Sequence, residues 1–317
     1  MEIHLEKATT ADAKDLASIQ IEAFRSLYET YSDGQSTFLS ETEDFVRWFE
    51  CGHDVYKIFA DAALAGGLAV MKSKTAANEY CLARIFISPE LQRCGIAKSA
   101  IKLCEKLYPD AKRWYLDCPE GQDANKCCFE SCGYVDTGSR RVTNDKLTLA
   151  ALEKIIGGIY HVKAYQLSAC LEVIHKSFAT VARDFGLTRE NCPKHTSFIP
   201  IEYLQNQMQW GWYMFSLSEG GRIVGYASVS DEKNGVYELH NLAVLPECRH
   251  KGYGRLLIDH AKEKVKELGG QKITLGIIEE NTVLKKWYTE NGFVHYGTRK
   301  FDHLPFTVGY MEWRCEQ

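Results

Sequence analysis

Apolar residues recur along this chain with two periods, one near 3.6 and one of two, and the alternation between them predicts a succession of short helices and strands. Leu167, Leu171, Ile174, Phe178 and Val181 follow one another at steps of four, three, four and three, so one helix face is apolar until Gly186. A shorter stripe, Leu16, Ile19 and Ala23, follows Thr10, the expected helix cap. Residues 212–217 and 223–229 read as strands joined through Glu219-Gly220-Gly221, a hairpin turn, and residues 56–60 and 64–70 repeat that hairpin. A long strand over 236–244, a glycine-bearing loop and a helix follow. That helix turns Ile258, Ala261, Val265 and Leu268 inward before Gly269-Gly270 ends it. Residues 273–278 read as a buried strand, 282–290 as a short helix, and 293–298 and 307–311 as closing strands. The fold class is therefore mixed α/β (α+β).

The pattern occurs twice. Ile85-Phe86-Ile87-Ser88-Pro89 leads to Gly95-Ile96-Ala97, and Leu242-Ala243-Val244-Leu245-Pro246 leads to Gly252-Tyr253-Gly254. Pro89 and Pro246 are 157 residues apart, as are Gly95 and Gly252, while Gly133-Tyr134 and Gly292-Phe293 are offset by 159. So long a period means two whole domains and not a solenoid. The expected domains are 1–150 and 158–317, with the boundary in the weakly patterned stretch 152–159 around Gly157-Gly158.

Composition narrows the partners. The chain has 317 residues, 45% of them apolar and 25% charged, with a net charge of −4, which is ordinary for globular domains and offers no basic field for nucleic acid or an acidic bilayer. The longest apolar stretch, 58–71, is interrupted by Asp61 and is too short to span a membrane. Twelve cysteines are too sparse for a disulfide scaffold, and the Met1 end lacks a signal-peptide pattern, so a reduced, cytoplasmic protein is expected. Cys127, Cys128 and Cys132 lack paired zinc-site spacing, so no metal is expected.

The loop before the second amphipathic helix carries the chemistry. Backbone amides at a glycine-bearing turn that opens a helix point outward with the positive end of the helix dipole, which suits a pyrophosphate. Arg249, His250 and Lys251 add positive charge beside Gly252, Tyr253 and Gly254. Such a loop alone licenses only an anion-binding turn. Further on, Asn281 precedes Tyr288 by seven residues, and Asn291-Gly292-Phe293 follows.

Leu242-Ala243-Val244, then Arg249-x-x-Gly252-x-Gly254, then Asn281 and Tyr288-Thr289-Glu290-Asn291-Gly292-Phe293 together resemble both signature motifs of the GCN5-related N-acetyltransferases, across about the whole second half. The resemblance implies two tandem domains, each a mostly antiparallel twisted sheet, flanked by helices, whose fourth and fifth strands splay to hold acetyl-CoA. It places the coenzyme's amide donors on Leu242, Val244 and Arg249 through Arg255, with Ala243 on the same strand, and matches Asn281 to the pantetheine-side asparagine. By the same analogy the N–H of Val244 stabilises the oxyanion and Tyr288 is the general acid that protonates the departing thiolate.

An attacking amine also needs a base. Glu238 and His240 alternate with Leu239 and Asn241, so they share one sheet face about 7 Å apart, and both are candidates. A salt-bridged Glu238 and a hydrogen-bonded His240 are equally open readings. Acceptor selectivity falls, by resemblance, on 186–209 (Asn191, His195, Phe198) and on 299–306 (Asp302, His303, Phe306). Trp210, Trp212 and Tyr213 read as core anchors.

In the first half, Phe129 stands where Tyr288 does, and Cys81 and Ala83 stand opposite Glu238 and His240. That half is therefore expected to be catalytically degenerate, although Gln92-Arg93-Cys94-Gly95-Ile96-Ala97 keeps a loose copy of the loop. The expected function is acetyl transfer from acetyl-CoA to a small primary amine, by a monomer or homodimer. A non-catalytic acyl-CoA sensor and an acetyltransferase for peptide or protein amines are the alternatives.

Overall fold

The computed structural model describes residues 1–31 and 42–315. They form two compact units, Met1–Ile156 and Gly157–Gln317. The boundary expected over 152–159 is shorter than the sequence suggested, because a strand spans Thr148–Ile155 and pairs with both its neighbours. Its alternation is blurred because Leu152 and the charged Glu153 are both buried, the latter beside Arg113.

The first unit runs β1 (Ile3–Lys7), α1 (Ala13–Tyr31), α2 (Thr42–Glu50), β2 (Asp54–Ala60), β3 (Ala63–Lys72), β4 (Glu79–Ile87), α3 (Ile96–Lys106), β5 (Arg113–Pro119), α4 (Asp123–Glu130), β6 (Val135–Val142) and β7 (Thr148–Ile155). Its strands lie in the order β1-β2-β3-β4-β5-β7-β6. The helix entry is capped one residue earlier than expected: Thr9, not Thr10, is the cap, and its N–H and Oγ1 both donate to Asp12 Oδ2.

The second unit repeats this order with β8 (Gly158–His161), α5 (Leu167–Asp184), α6 (Ile201–Gln209), β9 (Tyr213–Glu219), β10 (Arg222–Asp231), β11 (Val236–Val244), α7 (Tyr253–Glu267), β12 (Lys272–Ile278), α8 (Thr282–Glu290), β13 (Val294–Lys300) and β14 (Thr307–Arg314). Its sheet is β8-β9-β10-β11-β12-β14-β13, the same order as the first. Gly220 and Gly221 both take positive φ, as a two-residue type I′ turn requires, and set Glu219 opposite Arg222.

Helix α5 buries Leu167, Cys170, Val173 and Ile174, a face turned slightly from the expected stripe. Helix α7 buries Leu257, Ile258, Ala261 and Val265, while Leu268 is its C-cap and exposed, against expectation. Gly269 at positive φ and the Gly270 N–H to Val265 O bond close this helix in a Schellman turn. The two helices cover opposite faces of the sheet, and each fully buried aliphatic side chain contributes roughly 1.5–3 kcal/mol.

Among the described residues, the one parallel pair in each unit separates almost at once. Register between β11 and β12 is confined to Val236–Glu238 against Lys272–Thr274, and between β4 and β5 to Glu79–Cys81 against Arg113–Tyr115. On the opposite edge of β11 the register to β10 slips between Tyr226 and Ser228, where Asn241 takes φ +52. This bulge bends the strand away from β12.

Candidate functional site

The splay leaves Leu239 to Val244 without a partner strand on the β12 side. Leu242 and Val244 are half-buried there, and Ala243 between them is buried. The chain then turns through Pro246–Cys248 into the glycine loop. His250 at φ +63 and Gly252 at φ +83 shape the loop, with Gly252 as the N-cap of α7. Leu256 is the first residue of that turn whose N–H finds a backbone acceptor, Gly252 O. Among the described residues the N–H groups of His250, Lys251, Gly252, Tyr253, Gly254 and Arg255 have none, so they form a ready anion cradle.

The basic side chains are less available than the sequence suggested. The Arg249 guanidinium is turned into the fold, where Nη2 donates to Ser177 O at 2.9 Å, Thr180 Oγ1 at 3.1 Å and Ser177 Oγ at 3.2 Å on α5. Its N–H is also spent, on Pro246 O at 3.3 Å. Burial lowers its pKa. Arg249 thus positions the loop and does not add charge in front of it. Lys251 pairs with Glu219 at 3.4 Å, the Tyr253 hydroxyl donates to the same carboxylate, Arg255 faces Asp259 at 3.6 Å, and His250 is exposed.

Gly254 is needed for space. A Cβ there would lie 3.0 Å from Trp287 Cζ2, so the indole of α8 rests directly on the start of α7. Asn281 caps α8, its Oδ1 accepting from Leu284 N at 3.0 Å, which leaves only its Nδ2 to reach a ligand. Tyr288, one residue beyond Trp287, is buried against Phe293 with ring centroids 5.5 Å apart, and burial raises its pKa.

Glu238 and His240 share the face opposite α7, as their alternation predicts. His240 stacks on Trp212 with centroids 4.4 Å apart, and Nε2 lies 2.9 Å from Ser230 Oγ. Its Nδ1 lies 4.0 Å from Glu238 Oε1. Burial lowers the His240 pKa to about 4, with Glu232 opposing. Burial, then the charge of Glu232, raises that of Glu238. Glu232, Glu238 and His240 are the single His/Cys/Asp/Glu group of metal-binding compactness among the described residues, with ligand atoms within 4.8 Å. Ser230 already occupies Nε2 and a Glu232 oxygen, so the group reads as a hydrogen-bonded chain. Sequence reasoning missed Ser230 and Glu232. Their signal was the row of polar residues on β10, where Ser228 and Ser230 are buried in an otherwise apolar strand.

The two segments expected to select the acceptor do converge: Leu304 and Phe306 pack with Ala182, Leu187, Cys192 and Ile278. Asn191 and His195 are spent within their own loop, on Gly186 O at 2.9 Å and on Ser197 Oγ at 2.8 Å, and burial lowers the His195 pKa. Phe198 stays beside the His195 ring, whereas Asp302 and His303 are exposed. Trp210 is 63% exposed and is not the core anchor expected, while Trp212 and Tyr213 do pack on the core.

The first unit repeats the loop conformation, with Arg93 at φ +63 and Gly95 at φ +78, but not the chemistry. Phe129 packs on Tyr134 at 6.1 Å, and Cys81, its thiol pushed up to about 12 by burial, occupies the register of Glu238. All twelve cysteines are free, and among the described residues no helix is long and apolar enough to cross a membrane.

Comparison with known proteins agrees with this duplication. The chain is 30% identical over 133 residues to the uncharacterized protein YrkN of Bacillus subtilis, covering 41% of this chain and 71% of that one. It is 24% identical over 219 residues, 66% of each chain, to the mycothiol acetyltransferase of Propionibacterium freudenreichii. The solved PaiA N-acetyltransferase of Thermoplasma acidophilum, in complex with coenzyme A, matches at 20% identity and TM-score 0.44, over 51% of this chain and all of that one. The model of the acetyltransferase (GNAT) family matches twice, over residues 15–134 and 184–293, and the chain is therefore a member of that family, an acetyltransferase built of two tandem domains.

Proposed function

We propose that the chain transfers acetyl from acetyl-CoA to a small primary amine, and that the second unit alone performs the transfer. The observation that carries this reading is that the loop conformation is present twice while Tyr288 and Glu238 are present once. Bound between the splayed strands and the loop, acetyl-CoA supplies an activated thioester. The free amides from His250 to Arg255 hold its pyrophosphate, and Asn281 Nδ2 is the side-chain donor beside β12. The N–H of Val244, assigned by family resemblance, polarises the thioester carbonyl. Glu238 accepts the amine's proton, directly or through water. Its pKa is displaced upward from an ordinary carboxylate toward neutrality, whereas His240 is displaced away from it, so Glu238 is the stronger base of the two. Tyr288, kept protonated by burial, donates to the departing thiolate.

The test is thiol release by the purified full chain with acetyl-CoA and a panel of monoamines, diamines and amino sugars. We expect turnover with at least one amine, and losses of about a hundredfold or more for Glu238→Gln and for Tyr288→Phe. Phe129→Tyr and Cys81→Ser should leave the rate unchanged. Tight coenzyme binding without turnover on any amine would overturn the catalytic reading in favour of a sensor.

A further inference from the structure

The hydrogen bonds around His240 fix more than its position. Ser230 Oγ lies 2.6 Å from Glu232 Oε1 and 2.9 Å from His240 Nε2. A serine hydroxyl has one hydrogen, and an ionised carboxylate can only accept, so that hydrogen points to Glu232. The second contact then requires Nε2 to be the donor. Neutral His240 is therefore held as its Nε2–H tautomer, with the Nδ1 lone pair facing Glu238 Oε1 across 4.0 Å. That gap is too long for a direct hydrogen bond and is spanned by one small donor, a water or the substrate's nitrogen. Trp212, stacked at 4.4 Å, prevents the imidazole from turning out of this orientation. The charged groups facing the ring are Glu238 on its own strand and Glu232 just past the end of β10. Glu232 is exposed, whereas Ser230 is buried and Glu238 and His240 are half-buried.

We infer that Ser230 and Glu232 are positioning residues for the transfer reaction: by fixing the Nε2–H tautomer they turn the His240 Nδ1 lone pair toward Glu238, where the two together hold the acceptor nitrogen or the water that carries its proton. This rests on the reading of Glu238 as the group that takes the amine's proton. The proton passes from the amine nitrogen to the Glu238 carboxylate, directly or through that water, and Glu238 then releases it to solvent. His240 keeps its Nε2 proton throughout. Ser230 and Glu232 touch no substrate, so their loss should slow turnover without weakening coenzyme binding.

Two measurements on the full chain test this. Nitrogen NMR of histidine-labelled protein, with His240 assigned from His240→Gln, reads the tautomer without any ligand. The wild type should show Nε2 protonated and Nδ1 bare at neutral pH, and Ser230→Ala should lose that bias. In steady-state assays with acetyl-CoA and the best amine of the panel, Ser230→Ala and Glu232→Gln should lower kcat about tenfold and change its pH profile. KM for acetyl-CoA should stay constant, and Ser230→Thr should restore the rate. A wild-type ring protonated on Nδ1, or a Ser230→Ala enzyme with unaltered kcat and pH profile, overturns the positioning role. If Glu238→Gln also retains full activity, the assignment of Glu238 fails with it. If Glu238→Gln is inactive while Ser230→Ala is normal, only the positioning role of Ser230 and Glu232 falls.

Discussion

The contact between Gly254 and Trp287 can be measured as a coupling energy. Alanine at 254 would put its Cβ 3.0 Å from Trp287 Cζ2 and 3.2 Å from Cη2, closer than carbon atoms pack without displacement. Gly254 lies in the first turn of α7 at ordinary helical φ, so the substitution also removes freedom from the unfolded chain, which stabilises by about 0.4–1 kcal/mol. Overpacking a site of this kind costs about 1–3 kcal/mol, and the collision should win by roughly 1 kcal/mol. The first unit shows a compatible pair, because the residues at the same offsets are Ala97 and Cys128, the second far smaller than tryptophan. Trp287→Cys alone should cost about 2–3 kcal/mol in lost packing, less than for a fully buried indole. In the double variant Gly254→Ala/Trp287→Cys the collision disappears, so the two losses should miss additivity by about 1–2 kcal/mol. Urea unfolding followed by circular dichroism, on all four proteins, gives the cycle. Additivity within about 0.5 kcal/mol would refute the account, because it would mean that the indole moves aside freely.

Arg249→Met should destabilise the second unit by about 1.5–3 kcal/mol, through loss of charged hydrogen bonds to α5. An unchanged unfolding midpoint would show that the guanidinium is not structural. The rate with a given amine should rise with pH along a limb placed above the roughly 4.3 of an ordinary glutamate, since a base works only when deprotonated and burial raises Glu238. Glu238→Gln should abolish that limb, and a limb persisting in this variant would assign it elsewhere. In the first unit, Arg140 is the main cause of a lowered Asp136 pKa, with Lys126 helping. A lowered folded pKa means that the stabilisation is complete above the unfolded value near 3.9 and drains as pH falls through the folded one. The Tm gap between wild type and Asp136→Asn should therefore narrow as pH drops from about 7 to about 2, and a constant gap would contradict the ion-pair account.

Periodicity located Val236–Val244 and Thr282–Glu290 to the residue, because each is a regular element that starts directly after a glycine or an asparagine and stops before a proline turn or an asparagine. The family motifs sit on the same elements, so the splay and the loop were legible with them. Side-chain direction was not. Arg249 precedes a glycine turn in the manner of a phosphate ligand, yet unfilled acceptors on α5, distant in sequence, draw it inward. Leu268 fits the helical stripe but falls on the cap, and Trp210 ends α6 at the surface, since a stripe does not report where a helix stops covering the sheet. Ser230 and Glu232 were missed for a different reason. Their roles depend on a cross-strand pairing, Ser230 against Glu238, that single-strand alternation does not encode.

The short parallel pairing of β11 with β12 has a consequence for which molecules the protein can admit. An unpaired strand edge normally invites any extended polypeptide, which is the usual route to aggregation. Here the open edge lies between two strands of one sheet, so a second chain cannot align along it without prising them apart. The opening behaves as a keyhole that accepts a single thin guest, extended and carrying its own alternating donors and acceptors, and only to the depth at which Glu238 and Thr274 close it.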